Sequence, residues 1–492
     1  MAVTVTSADN ARTVPVPAAS GSWLERRFGL AERGATVGTE VRAGLTTFVV
    51  MAYIIFVNPA ILSFAGIPPL EGKGPPFPAV VAATCLVAAI ASLAMGIFAN
   101  YPLAIAPGMG LNAIVAFQLV AGMGLPWQTA MGVIFIEGII ITLLVLTGFR
   151  EAVMNAFPMA LKRGIGVGIG LFILFIGLYQ GGFVRVPVEV GSTIAAPPPV
   201  PLALGNYATT PFVIALLGLV ITLALVARGT RGALLIGIVV TTVLATIVRY
   251  ATGAAVSSVP TAALLPSAIV ALPDLSTLGA GLNVDIFFRV GVLTAVLTIF
   301  SIMLSDFFDT MGTVTGIGAE AGWLDKNGRL PRLRRVLLID SLAAALGGLF
   351  GSSSATTYIE SAAGVSEGAK TGLAAVVVGI LFLACLFLWP LAGIVPPEAT
   401  APALILVGFY MSAAARGIDF GDVEEGLPAL LTMIVMPLTY SITNGIGAGV
   451  LSYVIVKLAR GKVGDVHPMM WVAAVSFILY FALPALNTAF GI

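Results

Sequence analysis

Three acidic side chains lie within otherwise apolar stretches of the chain: Asp306 and Asp309 in one segment, and Glu360 in another. The flanking run Val290–Leu304 is apolar enough to span a membrane. A carboxylate at membrane depth costs about 2.5–3.5 kcal/mol on insertion scales, so such groups mark binding sites or proton pathways. Because Asp306 and Asp309 are three residues apart, they share one helix face and can point to one cavity. The pattern predicts that these acids bind a polar molecule, carry protons, or both.

Polar neighbours extend this candidate site. Glu360 can accept two ring N–H groups, and Tyr358, close to Thr357, can stack on a flat ligand. Asn112 stands near the start of another half-helix, where its amide offers a donor and an acceptor. Three alternatives stay open: ordinary packing for Tyr358, helix capping for Asn112, and a structural role for one of the two aspartates.

The elements around these residues are membrane-spanning. The chain has 492 residues, of which 59% are hydrophobic and 10% charged, whereas a soluble domain carries about 25% charged residues. Apolar runs of membrane length recur along it, which predicts an all-α polytopic membrane protein. The formal net charge of +1 implies no nucleic-acid partner.

Several kinds of chemistry are not indicated. The two cysteines, Cys85 and Cys385, lie in apolar runs and the single histidine, His467, in a polar linker, so the sequence predicts no metal site. It contains no nucleophile–base pair and no nucleotide-binding signature, so we expect neither an enzyme nor a bound cofactor. The glycine repeat Gly164–Gly170 is typical of small-residue helix packing.

The apolar runs predict fourteen spans, and two of them are broken by glycine and proline. Residues 1–20 are expected to be disordered, and the last apolar run, Met469–Leu486, is either a further span or an interfacial helix, with the interfacial helix favoured. The predicted spans are approximately 44–64, 79–98, 101–120 (broken), 127–147, 164–179, 211–227, 233–250, 286–313, 336–350, 351–368 (broken), 371–391, 401–415, 425–438 and 442–458.

Basic residues gather in alternate loops. The basic loops are predicted to be cytoplasmic together with the N-terminus, and the Pro-rich loops 65–77, 183–209 and 251–284, which carry almost no Lys or Arg, are predicted to be external. The basic residues concerned are Arg150, Lys162, Arg163, Arg228, Arg231, Lys326, Arg329, Arg332, Arg334, Arg335, Arg416, Lys457, Arg460 and Lys462. This distribution fits a multi-pass protein of the plasma (inner) membrane.

The chain also repeats itself. Ile173–Tyr179 matches Leu404–Tyr410, and Phe48–Asn58 resembles Phe300–Thr310. Seven spans per half is an odd number, so the second half is predicted to be inverted across the membrane. Inverted repeats with paired broken segments indicate a transporter whose site lies where the breaks meet, with exposed backbone groups at positions such as Gly110.

Four motifs resemble those of the nucleobase–ascorbate transporter family (nucleobase:cation symporter 2), and most of all its AzgA-like branch of adenine, guanine and hypoxanthine permeases. The motifs are Ala106–Asn112, Ser305–Gly312, Ala355–Ser361 and Ala399–Leu404, within a resemblance that covers about residues 40–460. Ser361 stands where the uracil, xanthine and ascorbate branch has asparagine, which favours the AzgA-like branch.

The resemblance implies a 7+7 inverted repeat with a core and a gate domain and short strands in broken spans 3 and 10. The core would slide as an elevator past the gate, often within a homodimer. The implied ranges are an N-terminal segment at 1–42, core at 43–150 and 285–393, gate at 151–284 and 394–462, and a C-terminal hydrophobic segment at 463–492. Family positions carry over to Asp306, Glu360, Tyr358 and Asn112.

Together these observations predict a purine:proton symporter whose partners are the lipid bilayer, a purine nucleobase and a proton, with a homodimer left open. Substrate-binding residues are expected to be Asp306, Glu360, Asn112, Tyr358, Thr357 and Gly110. Asp306, Glu360 and Asp309 are the candidates for proton coupling. A uracil or xanthine permease and an anion transporter of the same fold are the alternatives.

Overall fold

A computed structural model describes residues 22–65, 67, 70–148, 156–185, 202–323 and 330–490. Several sequence predictions lie outside these residues: the disorder of 1–20, the basic residues Arg150, Lys326 and Arg329, and residues 186–201 of one Pro-rich loop.

The first part of the described chain is almost entirely helical. Proline precedes several of its long helices, as at Pro76, Pro126 and Pro158, where its fixed φ and missing N–H suit a helix start. The helices are α1 (Trp23–Phe28), α2 (Val37–Met51), α3 (Ile54–Leu62), α4 (Phe77–Ala94), α5 (Met109–Ala113), α6 (Trp127–Thr147), α7 (Met159–Gln180), α8 (Thr210–Ala227) and α9 (Ala233–Thr252). Two π-helical stretches, Met95–Ala99 and Ile114–Gly122, extend α4 and α5.

The second part has the same character. Its helices are α10 (Ile286–Arg289), α11 (Val292–Glu320), α12 (Leu333–Phe350), α13 (Ser361–Ser366), α14 (Gly372–Cys385), α15 (Trp389–Ala392), α16 (Pro397–Ser412), α17 (Val423–Thr439), α18 (Ile442–Ala459) and α19 (Pro468–Phe490). One predicted boundary is wrong: the span expected from Ile286 is interrupted after Arg289, because Gly291 takes a left-handed conformation at φ 77° and a new helix begins at Val292.

Ten helices of the described residues are long and apolar enough to cross a membrane. The chain is therefore a mostly helical membrane protein, as its composition predicted. Helix α12 carries Arg334, Arg335 and Asp340, and α17 is 17 residues long, so neither belongs to these ten.

The two broken segments contain short strands that pair with each other. Strand β1 (Ile105–Pro107) and strand β4 (Ala355–Thr357) are antiparallel, with Ile105 opposite Thr357 and Pro107 opposite Ala355. Two further backbone bonds extend the pair, from Gly108 N to Ser354 O at 2.8 Å and from Tyr358 N to Ala104 O at 2.9 Å. The predicted strands are confirmed, and they join parts of the chain about 250 residues apart. A second small pair, β2 (Val184–Arg185) with β3 (Ala203–Leu204), lies elsewhere.

The glycine repeat of α7 packs against two helices. A Cβ on Gly164 would lie 3.0 Å from the Ala429 backbone of α17, and one on Gly170 would lie 2.5 Å from Met411 Cβ of α16. Side chains at these positions would force the helices apart, so the prediction of small-residue packing is confirmed. Gly166 differs, because a Cβ there would meet nothing within 4 Å.

A buried carboxylate fixes the start of α14. Glu40 of α2 accepts backbone N–H bonds from Lys370 at 2.8 Å, Thr371 at 3.1 Å and Ala374 at 3.3 Å. These donors have no partner within their own helix. Glu40 therefore ties the beginning of the chain to the segment that follows α13.

A second ionic cluster joins α17 and α18. Glu424, at the start of α17, accepts hydrogen bonds from Lys457 at 2.6 Å, Lys462 at 2.6 Å and Arg460 at 2.8 Å. These three cations lower the pKa of Glu424 to about 2. The cluster therefore stays charged throughout the physiological pH range.

Candidate functional site

A cavity of about 1070 Å³ lies between the two broken segments and the helices α7 and α16. Five of the predicted site residues line it: Asp309, Glu360, Tyr358, Thr357 and Gly110. Asp306 and Asn112 are not among its lining residues, and both are fully buried. Their predicted roles as substrate ligands stay predictions.

Glu360 is presented to the cavity at the start of a short helix. It is the N-cap residue of α13 and is half-buried. Its Oε1 accepts a hydrogen bond of 2.6 Å from the hydroxyl of Tyr53, which lies between α2 and α3. A hydrogen bond to one oxygen leaves the carboxylate further acceptor positions for a ligand. Tyr53 therefore orients the acid without occupying it.

The two aspartates of α11 both meet the broken segment around β4. The hydroxyl of Ser354 donates to Asp306 Oδ2 at 2.9 Å, and that of Thr356 donates to Asp309 Oδ2 at 3.2 Å. The expectation that these acids share one helix face is therefore confirmed. Their depth differs, since Asp306 is fully buried whereas Asp309 is half-buried and lines the cavity.

A third aspartate, Asp340, is hydrogen-bonded to strand β4. Asp340 of α12 is buried and accepts from both the backbone N–H and the hydroxyl of Thr357, each at 2.9 Å. It also accepts from Thr310 of α11 at 2.7 Å. Asp340 thus locks Thr357 and α11 in one arrangement, which is the kind of support that a precise binding site requires.

Tyr358 has a defined partner. Its hydroxyl donates to the carbonyl of Pro107, so it ties β4 to the end of β1. The ring still lines the cavity. Its apolar face can therefore contact a flat ligand while its polar end is held by the protein.

The β1 side of the cavity is made of backbone and glycine. A Cβ on Gly108 would lie 2.9 Å from Thr356 Oγ1, and one on Gly110 would lie 2.6 Å from Ile169 Cγ2. Both positions therefore need glycine for close approach. The absence of side chains leaves backbone N–H and C=O groups of α5's first turn near the cavity.

Asn112 does not cap α5, because Gly108 is the N-cap residue and Asn112 is the fourth residue of the helix. The capping alternative is therefore wrong. Asn112 is fully buried, and neither its Oδ1 nor its Nδ2 has a hydrogen-bond partner among the described residues. A buried amide without a hydrogen-bond partner costs about 1–3 kcal/mol, so the Asn112 side chain is a candidate to bind a ligand or a water.

Part of the cavity lining is apolar. Helix α7 contributes Ile165, Ile169 and Ile173, and α16 contributes Val407 and Met411. The lining therefore combines polar groups with a hydrophobic surface, which suits a flat heterocycle with hydrogen-bonding edges.

One end of the cavity is basic. Lys162 and Arg163 of α7 and Arg231 of the α8–α9 turn lie there. Arg231 forms an ion pair with Glu367, which follows α13 and is also 3.5 Å from Arg42 of α2. This ion pair connects the α8–α9 turn to the segment that carries Glu360.

Sequence reasoning missed Tyr53, Asp340 and the hydroxyl donors Ser354 and Thr356. A signal for Tyr53 existed, because the repeat that pairs Phe48–Asn58 with Phe300–Thr310 sets Tyr53 opposite Ser305, next to an acid. A signal for Asp340 also existed, because it is an acidic residue within an apolar run. The same feature identified Asp306, Asp309 and Glu360 as candidate site residues.

The chain is similar to known permeases along most of its length. A family model described as a permease family matches residues 38–448. The adenine permease AdeP of Escherichia coli is 41% identical over 93% of this chain and 95% of its own length. The guanine/hypoxanthine permease PbuG of Bacillus subtilis is 41% identical over 92% of this chain and 98% of its own length.

The chain therefore belongs to the nucleobase–ascorbate transporter family, as its motifs predicted. It is a permease rather than an enzyme. Among solved structures, the transmembrane domain of a cyanobacterial bicarbonate transporter, BicA, superposes with a TM-score of 0.59 over 83% of this chain and 97% of that domain. At 16% identity this likeness concerns the fold alone.

Proposed function

We propose that the protein imports purine nucleobases (adenine, guanine or hypoxanthine) by proton symport. The observation that carries the proposal is the cavity in which Glu360 and Asp309 face backbone and hydroxyl groups of two paired broken segments. The names of relatives about 40% identical over most of the chain support a purine as the substrate.

The purine is proposed to lie between the acids and the apolar wall of α7. Glu360 accepts ring N–H groups, Tyr358 contacts the ring face, and Thr357 and Gly110 contribute through the backbone next to them. Asn112, buried behind the glycine side, supplies an amide through a water or a side-chain rotation. The acids would recognise a neutral base with N–H donors and repel an anion.

The coupled proton is proposed to bind one of Asp306, Asp309 and Glu360. Asp309 is favoured for this role because it lines the same cavity as Glu360 and accepts its hydrogen bond from a neutral hydroxyl, that of Thr356. Asp306, held by Ser354 away from the cavity lining, is proposed to keep β4 in place.

The layout of the family, with fourteen spans as a 7+7 inverted repeat, is proposed for this chain. The antiparallel strand pair between the two halves supports it. Core residues 43–150 and 285–393 would slide as an elevator past gate residues 151–284 and 394–462, with the apolar α7 and α16 surfaces as the sliding face.

We also propose the orientation. With the N-terminus cytoplasmic in the plasma (inner) membrane, the basic end of the cavity at Lys162, Arg163 and Arg231 faces the cytoplasm. The described state is then inward-facing. A homodimer through the gate is part of the same proposal.

The test is uptake of radiolabelled adenine, guanine, hypoxanthine, xanthine and uracil into proteoliposomes, with and without an inward proton gradient. Concentrative uptake of adenine, guanine or hypoxanthine that collapses with a protonophore is expected. Uptake of uracil or xanthine instead would contradict the proposed substrate. Anion flux without nucleobase uptake would contradict the proposed function.

Two variants sharpen the assignment of the proton. Asp309→Asn is expected to abolish gradient-driven accumulation while base exchange continues, since exchange needs no net proton movement. Asp306→Asn is expected to reduce both through loss of protein stability. Accumulation by Asp309→Asn at the unmodified level would exclude Asp309 as the proton carrier.

A further inference from the structure

A second cavity, of about 730 Å³, shares no lining residue with the first. Three cations line it: Arg33 from the segment between α1 and α2, Arg332 before α12, and Lys370 before α14. No acidic residue occurs among its described lining residues. A concave surface with three positive charges concentrates anions.

Two aromatic rings form another part of its wall. The rings of Tyr101 and Trp323 have centroids 5.4 Å apart and are tilted by 52°. Tyr101 is fixed by a hydrogen bond of 2.7 Å from its hydroxyl to Pro331 O, and the Arg33 guanidinium lies 5.9 Å from its ring. The cavity thus combines cations with aromatic surface, the two features that recognise a phosphate joined to a planar base.

The cations retain donors for a ligand. Arg33 uses Nη1 to bind the carbonyls of Asn100 and Lys370, each at 2.9 Å, which leaves its other nitrogens available. The Arg332 guanidinium forms no hydrogen bond or ion pair with the residues that the structure describes, and only its backbone carbonyl is bonded, to Arg335 N at 2.9 Å. Lys370 Nζ donates one hydrogen bond among the described residues, to Gly34 O at 3.3 Å. Of the three cations, Arg332 and Lys370 therefore make the fewest side-chain hydrogen bonds to the described residues.

Basic residues collect at one end of most membrane proteins for topological reasons, and such residues are usually dispersed and solvated. Arg335 is an example here, since it is exposed and does not line the cavity. The cluster of Arg33, Arg332 and Lys370 differs because one cavity collects all three beside two aromatic rings.

We propose that this second cavity binds a phosphate-bearing ligand, with a purine nucleotide as the class that its aromatic wall favours. Helix α13 connects the two cavities. Its N-cap Glu360 lines the first, and Val365 and Ser366 at its other end line the second. Occupancy of the second cavity is expected to change base affinity at the first by acting on this six-residue helix.

The experiment measures equilibrium binding of radiolabelled adenosine 5′-monophosphate to the full-length protein in detergent, with adenosine and inorganic phosphate as competitors. Arg332→Gln and Lys370→Gln are each expected to weaken nucleotide binding by about tenfold or more, because each removes a charge-assisted hydrogen bond. The matched control, Arg335→Gln, makes the same charge change three residues from Arg332 and is expected to bind normally. Equal affinity for adenosine and the nucleotide would overturn the proposal.

A second experiment tests whether a lipid supplies the phosphate. The protein is placed in nanodiscs that contain phosphatidylglycerol or phosphatidylcholine, and nucleotide binding is measured in each. Competition by phosphatidylglycerol but not by phosphatidylcholine would identify a lipid headgroup as the occupant of the same phosphate site. Absence of binding by the nucleotide, by phosphate and by phosphatidylglycerol would overturn the proposal.

The outcome is independent of the proposed transport function. Glu360→Gln is expected to lose base binding at the first cavity and to keep nucleotide binding at the second. Loss of nucleotide binding in Glu360→Gln, together with full competition between adenine and the nucleotide in the unmodified protein, would place the nucleotide in the first cavity and contradict a second site.

Discussion

The two broken segments use one backbone design with unequal chemistry. In each, a three-residue buried strand leads into a short helix, and the strands pair with each other. Residues 105–113 contain no ionisable side chain, whereas the segment from Ala355 to Glu360 carries two threonines, a tyrosine and an acid. The first segment supplies shape and the second supplies charge.

The division has a physical reason. A carboxylate at membrane depth is expensive, so placing acids on one side of a cavity limits the cost. Glycines on the other side cost little and admit a ligand to the backbone. If this comparison is correct, variants of the β4 segment will damage binding more than variants of the β1 segment. Four changes test it, from the largest expected effect to the smallest.

Glu360→Gln is expected to weaken purine binding by about 100-fold or more, since the change removes the negative charge and replaces one of the two acceptor oxygens by an NH2 donor that would face a ring N–H. The measurement is calorimetric or scintillation-proximity titration of the purified protein. Glu425→Gln, an isosteric change at an exposed position, is the control. Binding within threefold of the unmodified protein would remove Glu360 from the site.

Asn112→Leu is expected to weaken purine binding by about tenfold without lowering the melting temperature. The reason is that the Asn112 amide has no hydrogen-bond partner among the described residues, so its replacement breaks no contact between them. Binding and thermal unfolding are measured on one preparation. A lower melting temperature with normal binding would instead make Asn112 structural.

Gly110→Ala is expected to weaken binding by about fivefold, because its methyl group would stand 2.6 Å from Ile169 Cγ2 and push that side chain into the cavity. Adding Ile169→Ala should restore part of the affinity, a non-additivity that shows direct contact. Gly38→Ala on α2 is the control, because nothing lies within 4 Å of the new methyl group and Gly38 lines neither cavity. Equal losses in Gly110→Ala and Gly38→Ala would argue against a shaped backbone site at β1.

Tyr53→Phe is expected to weaken binding by about threefold, the smallest effect, since the ring stays and a single hydrogen bond to Glu360 is lost. Tyr53 is a positioning residue, so Tyr53→Phe combined with Glu360→Gln should cost no more than Glu360→Gln alone. A full additive loss in the double variant would mean that Tyr53 touches the purine itself.

Much of the fold could be predicted because the lengths of the helices and the positions of their breaks depend on residues that are neighbours in the sequence. The polar face shared by Asp306 and Asp309 follows from their spacing, and the strands follow from glycine and proline placed among apolar residues. The break at Gly291 was missed, because the sequence around a single glycine in an apolar run does not specify whether that glycine takes a left-handed conformation.

The finer geometry of the site depends on long-range partners. Asp306 and Asp309 take their hydrogen-bond donors, Ser354 and Thr356, from a segment more than forty residues later, and only Asp309 lines the cavity. Likewise, Tyr53 gains its role from an acid 307 residues away. Spacing along one helix cannot specify such pairings, since tertiary packing decides which residues on that face are covered.

The pairing of β1 with β4 has a consequence for how the protein is made. When residues 105–107 enter the membrane, their strand partner is still to be synthesised, about 250 residues later. Chains are synthesised at about 5–20 residues per second, so unpaired backbone groups persist for about 12 to 50 seconds in the lipid or the insertion machinery. The nascent first half therefore requires a temporary partner, and separately expressed halves should regain binding when they are synthesised together.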